Sequence, residues 1–225
     1  MLMSKKKSVK VSEEEEDKKE EGQELGADAL MQLLGAGGGP ESRSIMLQGN
    51  LEEESAAEII TALIVLSSQK DPETNEVEPI KFYISTYGGA ADEMFAIYDV
   101  MNYVKRQGVI IETVGLGKVM SAGTLLLAAG TPGHRKLGKH CRVMIHAVAG
   151  GSMGELHSIV LNQSPEASIK NELEQMNVLQ ESYIQAMADE TEMSKKQIQN
   201  LINRKVNVYL SASEAIEKGL ADEVY

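Results

Sequence analysis

Ser121 stands at a point in the sequence where a hydroxyl group could act as a nucleophile. The run ETVGLG at 112–117 predicts a buried strand before it, and the run AGTLLLAAG at 122–130 predicts a buried helix after it. A serine at this junction lies beside the free N–H groups and the positive end of the helix, which stabilise developing negative charge. An acyl-transfer enzyme needs that environment around its nucleophilic oxygen, although a serine here can also be a simple N-cap.

Two more features lie at the ends of predicted strands. His146 closes the apolar run CRVMIH at 141–146, and Tyr87-Gly88-Gly89 follows the run PIKFYIST at 79–86 as a predicted tight turn. Active sites of parallel α/β sheets gather at the carboxyl ends of the strands. A serine, a histidine and a two-glycine segment together fit a nucleophile, a general base and oxyanion donors. Each is weak alone, since a histidine at a strand end is often structural.

The elements that must position these residues alternate along the chain. Strands are predicted at 44–48, 79–86, 109–115, 141–146 and 207–210, with a turn at Gly49-Asn50 after the first. Helices are predicted at 52–68, 90–106, after Ser121, and at 165–190, 194–203 and 211–218. This alternation indicates a parallel sheet in an α/β fold. The helix at 165–190 is amphipathic, and its length is typical of helices that project and pack against a partner chain.

Composition sets the domain organisation and excludes some classes of function. Residues 1–41 are charged and end in a Gly-rich linker, which predicts a disordered acidic tail before one domain at 42–225. The net charge of −12 argues against nucleic acid as a partner. The single cysteine, Cys141, indicates a reducing compartment. No apolar run approaches the roughly 18 residues of a membrane span, so we expect a cytoplasmic protein without a membrane partner.

Metal and phosphate sites are not expected from the remaining motifs. His134 and His140 lie in a basic loop without carboxylates at ligand spacing, which argues against a metal site. The Gly-rich loop at 149–154, which contains Gly150 and Gly151, lacks the Gly-Lys-Ser/Thr sequence of a phosphate-binding loop. It is either a flexible connection or a segment that contacts substrate.

Several motifs occur in one order along residues 42–225. They are FYISTYGG at 82–89, AIYDVM at 96–101, GKVMSAG at 117–123 with LLLAAG at 125–130, RVMIH at 142–146, and YLS at 209–211 with GLAD at 219–222. This series resembles the ClpP family, the proteolytic subunits of the ATP-dependent Clp protease. The resemblance implies a ClpP/crotonase-type spiral of βαβ units. The helix at 165–190 would be a protruding handle that joins two stacked heptameric rings into a closed tetradecamer.

The same resemblance implies the roles of the site residues. Ser121 would attack a peptide bond, His146 would transfer the proton, and the backbone N–H groups of Gly89 and Ala122 would form the oxyanion hole. Gly88, Gly150 and Gly151 would line the substrate groove. The substrates would be proteins and peptides, no cofactor or metal would be needed, and ATP would be used by a partner AAA+ unfoldase.

The sequence departs from the family pattern at its third catalytic position. Asn207 stands where the family has an aspartate, and an asparagine can orient an imidazole but brings no charge to stabilise imidazolium. Asp189 and Asp222 could replace that aspartate only if the fold differs from this alignment. Tyr87 replaces a proline, the segment around 162–165 is longer, and the N-terminal segment lacks the family's axial-loop sequence. These departures leave docking to an unfoldase open.

Four functions remain compatible with these observations. The first is a serine endopeptidase with a weakened triad, working inside an oligomeric chamber. The second is a catalytically silent subunit that co-assembles with an active ClpP-like subunit. The third is a processing or maturation protease that works without an unfoldase. The fourth is a crotonase-type acyl-CoA enzyme, since one fold hosts many chemistries, but that chemistry would not need Ser121 and His146 at this spacing.

Overall fold

The structure, a computed structural model, describes residues 43–148, 165–204 and 206–225. In the described part of the chain, the strands build one sheet with the order β1-β2-β3-β4-β7, all neighbours being parallel. A further strand, β5, extends from β3 in parallel, and β6 pairs with β5 in antiparallel. The strands are β1 (Ser44–Leu51), β2 (Ile80–Gly89), β3 (Ile111–Met120), β4 (Arg135–Leu137), β5 (Arg142–Ile145), β6 (Val208–Leu210) and β7 (Glu223–Val224).

The helices connect these strands and cover the sheet. They are α1 (Glu53–Ser68), α2 (Ala91–Arg106), α3 (Ala122–Ala128), α4 (Pro165–Glu190), α5 (Lys195–Ile202) and α6 (Ala212–Glu217). The sheet and helices confirm the predicted α/β class with a mostly parallel sheet. No helix in the described ranges has both the length and the apolar character needed to cross a membrane. The predicted tail at 1–41 and the loop with Gly150 and Gly151 lie outside the described residues.

Helix α3 lies at the centre of the core. Each of its residues is buried, as expected for a segment that carries no charge. It packs on β2 and β3, and Gly123 allows this close approach, because a Cβ atom there would lie 2.4 Å from the Thr86 methyl carbon. The apolar residues predicted for the strands fill the same core, including Phe82, Ile84 and Val143. Helix α3, which follows Ser121, is therefore held in place by the two strands on which it packs.

Two predicted turns are wrong. Gly49-Asn50 and Tyr87-Gly88-Gly89 are not tight turns, since β1 continues to Leu51 and β2 continues to Gly89. The two strand ends pair with each other after a register shift at Gly49/Asn50. Gly89 is needed for this pairing, because a Cβ atom there would lie 1.9 Å from the Leu51 carbonyl oxygen. The glycines therefore serve close backbone contact within a parallel ladder rather than a reversal of the chain.

Candidate active site

Ser121 connects β3 directly to α3 in an unusual backbone conformation. Its φ is 55° and its ψ is −122°, a region that non-glycine residues rarely adopt, and such strain costs about 1–3 kcal/mol. The residue is held on both sides. Its N–H donates to the Met144 carbonyl of β5 at 2.8 Å, and its own carbonyl accepts from the Thr124 N–H at 2.9 Å. This sharp strand-to-helix connection presents the hydroxyl at the sheet edge.

His146 lies beside Ser121 because β5 is paired with β3. The register pairs Val119 with Val143 and Met120 with Met144, so the two strands end side by side. The Nε2 atom of His146 lies 2.8 Å from the Oγ atom of Ser121, and the histidine is partly buried. When the ring is neutral and Nε2 carries no proton, Nε2 can accept the hydroxyl proton of Ser121.

The Gly88-Gly89 segment lies against the serine side chain. A Cβ atom on Gly88 would lie 2.5 Å from Ser121 Cβ, and the φ of Gly88 is +99°, so this position requires glycine on both counts. Thr86 fixes the segment from below. Its buried hydroxyl donates to the Gly49 carbonyl at 2.5 Å and accepts from the Gly88 N–H at 2.9 Å. The irregular end of β2 is thus anchored in the core.

A small cavity brings four of the predicted residues together. It has a volume of about 160 Å³, and Ser121, His146, Gly89 and Ala122 all line it. The first N–H groups of a helix have no partner within the helix, and Ala122 is the first residue of α3. The remaining lining residues are Ala90, Ala91, Met94, Ala147, Val148 and Tyr183. This apolar lining is suited to hold a side chain next to a polar reaction centre.

The position of Asn207 relative to His146 follows from the pairing of β6 with β5. The antiparallel register pairs Ile145 with Val208, which makes Asn207 the neighbour of His146 across the two strands. Asn207 is exposed, and among the described residues no hydrogen bond joins it to His146. The histidine is thus oriented by its strand and by Ser121.

Neither of the two aspartates considered as substitutes takes this place. Asp222 forms a two-pronged pair with Arg135, whose Nη2 and Nε lie 2.6 Å and 3.0 Å from its carboxylate oxygens. Burial raises the pKa of Asp222, but hydrogen bonds from Arg135 and from the Gly133 N–H outweigh it and leave the pKa below its usual range. Asp189 accepts a hydrogen bond from the Gln185 amide of the same helix at 2.6 Å. Both carboxylates are therefore engaged elsewhere.

Tyr87, which precedes the Gly88-Gly89 segment, is exposed. Its ring lies under the Lys118 ammonium group, with the nitrogen 4.4 Å from the ring centroid. Such a cation–π contact at an exposed site contributes about 0.5–1 kcal/mol. Within the ranges that the structure describes, no group of three or more His, Cys, Asp or Glu side chains is placed to hold a metal ion.

The sequence model of the Clp protease family matches residues 40–225. The chain belongs to the Clp protease family. This membership confirms the predicted family and the fold class that goes with it.

Three relatives within the family cover most of this chain. The ATP-dependent Clp protease proteolytic subunit 2 of Leifsonia xyli subsp. xyli is 38% identical over 186 residues, 82% of this chain and 74% of its own. Subunit 2 of Corynebacterium jeikeium is 35% identical over 82% of this chain and 79% of its own. Subunit 1 of Corynebacterium glutamicum is 34% identical over 82% of this chain and 80% of its own.

Sequence reasoning missed two residues at the site of this Clp protease family member. Thr124 and Tyr183 are both buried, and their hydroxyl oxygens lie 2.7 Å apart. Thr124 lies within the uncharged, mainly apolar run at 122–130, and Tyr183 lies far along the chain in α4. No local pattern links the two, so only the tertiary structure brings them together.

Proposed function

We propose that this chain is a serine endopeptidase that cleaves peptide bonds in protein and peptide substrates. The observation that carries the proposal is the 2.8 Å contact between His146 Nε2 and Ser121 Oγ, in a cavity that Gly89 and Ala122 also line. Membership of the Clp protease family supports it, and the relatives described above are named proteolytic subunits.

The reaction follows from this geometry in two steps. Ser121 Oγ attacks the substrate carbonyl carbon while its proton passes to His146 Nε2, and the carbonyl oxygen becomes an oxyanion. When the tetrahedral intermediate collapses, the C–N bond breaks and His146 returns the proton to the leaving amine. A water molecule then attacks the acyl-enzyme, again giving its proton to His146. When the second tetrahedral intermediate collapses, the bond to Ser121 Oγ breaks, His146 returns the proton to that oxygen, and the carboxylic acid is released.

The backbone N–H groups of Gly89 and Ala122 would stabilise the oxyanion. They come from the end of β2 and the start of α3, two segments whose positions are fixed by close packing around Ser121. Donors that are already in place do not have to reorganise during the reaction, and one such donor contributes about 3 kcal/mol. Gly88, Gly150 and Gly151 would contact the substrate backbone. The mechanism requires no metal or cofactor.

Asn207 would make this enzyme slow. An asparagine beside His146 can accept a hydrogen bond from the ring but cannot stabilise the imidazolium ion by charge. In a serine protease of known mechanism, the change from aspartate to asparagine lowered turnover by about 10⁴. We therefore expect weak activity in the isolated chain, or activity that rises when another subunit or a bound substrate reorders the site.

The assembly proposed for this chain is a closed chamber of two stacked heptameric rings. Support comes from α4, whose residues Leu173 and Val178 are more than half exposed although they are apolar. Exposed apolar side chains on a long helix suit contact with a second copy of the chain. The relatives' names include "ATP-dependent", so an AAA+ unfoldase is the proposed partner.

The proposed function is tested by labelling the purified full chain with a fluorophosphonate probe, which reacts with activated serines. We expect labelling of the wild type that disappears in Ser121→Ala and in His146→Ala and rises in Asn207→Asp. Ser68→Ala is the matched control, since Ser68 is exposed and remote in sequence from the site. Absence of labelling in both the wild type and Asn207→Asp, with assembly verified by light scattering, would overturn the proposal.

A second candidate function is a silent subunit that co-assembles with an active ClpP-like subunit. The exposed position of Asn207 and the lack of its hydrogen bond with His146 favour it. Labelling of Asn207→Asp but not of the wild type would identify this role. A processing protease without an unfoldase is distinguished by a folded substrate, which it would cleave at the same rate with and without an ATP-driven unfoldase.

A further inference from the structure

Two buried hydroxyl groups link helix α4 to the carbonyl group of Ser121. The Tyr183 hydroxyl of α4 lies 2.7 Å from Thr124 Oγ1, and Thr124 Oγ1 donates to the Ser121 carbonyl at 2.6 Å. Thr124 is fully buried, and only 3% of Tyr183 is exposed. The three groups form a continuous series of hydrogen bonds, in which the Tyr183–Thr124 bond is buried and the Thr124–Ser121 bond is part-buried.

The donor and acceptor in each of these hydrogen bonds follow from the number of hydroxyl protons. A threonine hydroxyl has a single proton, and that of Thr124 is given to the Ser121 carbonyl. The contact with Tyr183 must then use the tyrosine proton, so Tyr183 donates to Thr124. Burial raises the pKa of Tyr183 to about 12, and the hydrogen bond with Thr124 opposes this rise. The tyrosine therefore stays protonated, and remains a donor, at neutral pH.

The Ser121 carbonyl, which accepts the last hydrogen bond of this series, belongs to the same planar peptide group as the Ala122 N–H. In a trans peptide the C=O and the N–H point in opposite directions, so fixing one fixes the other. Hydrogen bonds in series also polarise each other, and a polarised peptide has a stronger N–H donor. The Thr124 N–H holds the same Ser121 carbonyl at 2.9 Å. Tyr183 thus acts on the N–H of Ala122 without touching it.

We propose that Tyr183 is a positioning residue, which acts through Thr124 to aim and strengthen the Ala122 N–H as an oxyanion donor. The proposal rests on the proposed function and adds to it a link between α4 and the reaction centre. Because Ser121 has a strained φ of 55°, its peptide needs such support to keep one orientation. A shift of α4 that breaks the contact would weaken the oxyanion hole while leaving Ser121 and His146 in place.

The variants that test this proposal differ from the wild type by single hydroxyl or methyl groups. Tyr183→Phe removes only the first donor, Thr124→Val removes the second hydroxyl without changing the shape, and Thr124→Ser keeps it. Tyr98→Phe is the matched control. The Tyr98 hydroxyl also forms a hydrogen bond, to Glu190 at 3.1 Å, and is part-buried. Tyr98 is not among the residues that line the Ser121 cavity.

Hydrolysis of a short fluorogenic peptide by the assembled full chain gives the first measurement. We expect kcat to fall about tenfold in Tyr183→Phe and somewhat more in Thr124→Val, with KM within about twofold, because loosening a donor costs less than removing it. A peptide aldehyde, which forms a tetrahedral adduct with Ser121, should bind weaker by the same factor. Thr124→Ser should keep a kcat near that of the wild type. The double variant with Thr124→Val and Tyr183→Phe should have the same kcat as Thr124→Val alone.

Backbone hydrogen–deuterium exchange gives a second measurement that does not need activity. Tyr183→Phe should speed exchange in the peptide covering residues 118–126, and Tyr98→Phe should not. A change in KM alone, or a loss of kcat no greater than in Tyr98→Phe, would overturn the proposal. If the wild type turns over no substrate, the proposed function fails, and the exchange measurement tests the link from Tyr183 to the Ala122 N–H by itself. Faster exchange in Tyr183→Phe but not in Tyr98→Phe supports this link. Unchanged exchange in Tyr183→Phe overturns it.

Discussion

The Nε2 atom of His146 lies 2.8 Å from the Oγ atom of Ser121, although Ser121 follows β3 and His146 follows β5. If they act as one proton-transfer unit, their mutational effects are not additive. We expect Ser121→Ala, His146→Ala and the double variant to lose peptidase activity to the same extent, since each removes the whole unit. Steady-state kcat/KM measures this, and His134→Ala is the control. Losses that multiply in the double variant would contradict the assignment.

The backbone at Gly88 must stay free of a side chain. Gly88→Ala places a carbon 2.5 Å from Ser121 Cβ at a φ of +99°, so we expect kcat/KM to fall at least about a hundredfold as Ser121 is displaced. Gly108→Ala is the matched control, because the φ of Gly108 is +86° and no atom lies within 4 Å of the added carbon. Gly108→Ala should lose stability to backbone strain but keep its kcat/KM. Equal losses of activity in the two variants would contradict this prediction.

The pair formed by Arg135 and Asp222 should make stability depend on pH in the acid range. The pKa of Asp222 is lowered in the folded protein, so the pair contributes stability that is complete above the unfolded value of about 4 and is lost as the pH falls through the folded value. Asp222→Asn should lower the free energy of unfolding by about 2 kcal/mol at neutral pH and by less at pH 3. Urea denaturation at both pH values measures this.

The control for that prediction is Glu223→Gln. Glu223 forms an ion pair with Lys136 at 3.4 Å, but its side chain is 56% exposed. Exposed pairs contribute about 0–1 kcal/mol, so this variant should unfold at nearly the wild-type urea concentration at both pH values. An equal and pH-independent loss in both variants would show that the Arg135–Asp222 pair has no special role.

Cys141 should be inert in the folded protein. It is 1% exposed, and burial raises the pKa of its thiol to about 11, so its reactive thiolate is scarce at pH 8. Iodoacetamide should label the native wild type at least about a hundredfold more slowly than the urea-unfolded protein. A Ser68→Cys variant, whose new thiol is exposed, should react quickly in the native state. Rapid alkylation of the native wild type at Cys141 would contradict the buried position.

The sequence by itself determined the class of fold and predicted the residues of the candidate site. The strongly apolar runs around Phe82, Val114 and Leu126 could only be buried, and their alternation with helices required parallel strands. Ser121 and His146 were found because each stands at the end of such a run. Short, polar segments were missed: Arg135–Leu137 and Glu223–Val224 become strands only because β3 and β4 offer them an edge to pair with.

Only the tertiary structure decided how these pieces meet. The glycines at 88 and 89 suggest a turn in isolation, but the neighbouring strand β1 continues the ladder and pairs with both of them. The side-by-side position of Asn207 and His146 depends on one antiparallel register, which no local pattern specifies. The hydrogen bond between Thr124 and Tyr183 joins groups on different helices. The local sequence shows which segments are apolar enough to be buried and whether their apolar residues follow a helix or a strand period. The hydrogen-bond partner of a buried hydroxyl, in contrast, is set by packing between segments that are distant in sequence.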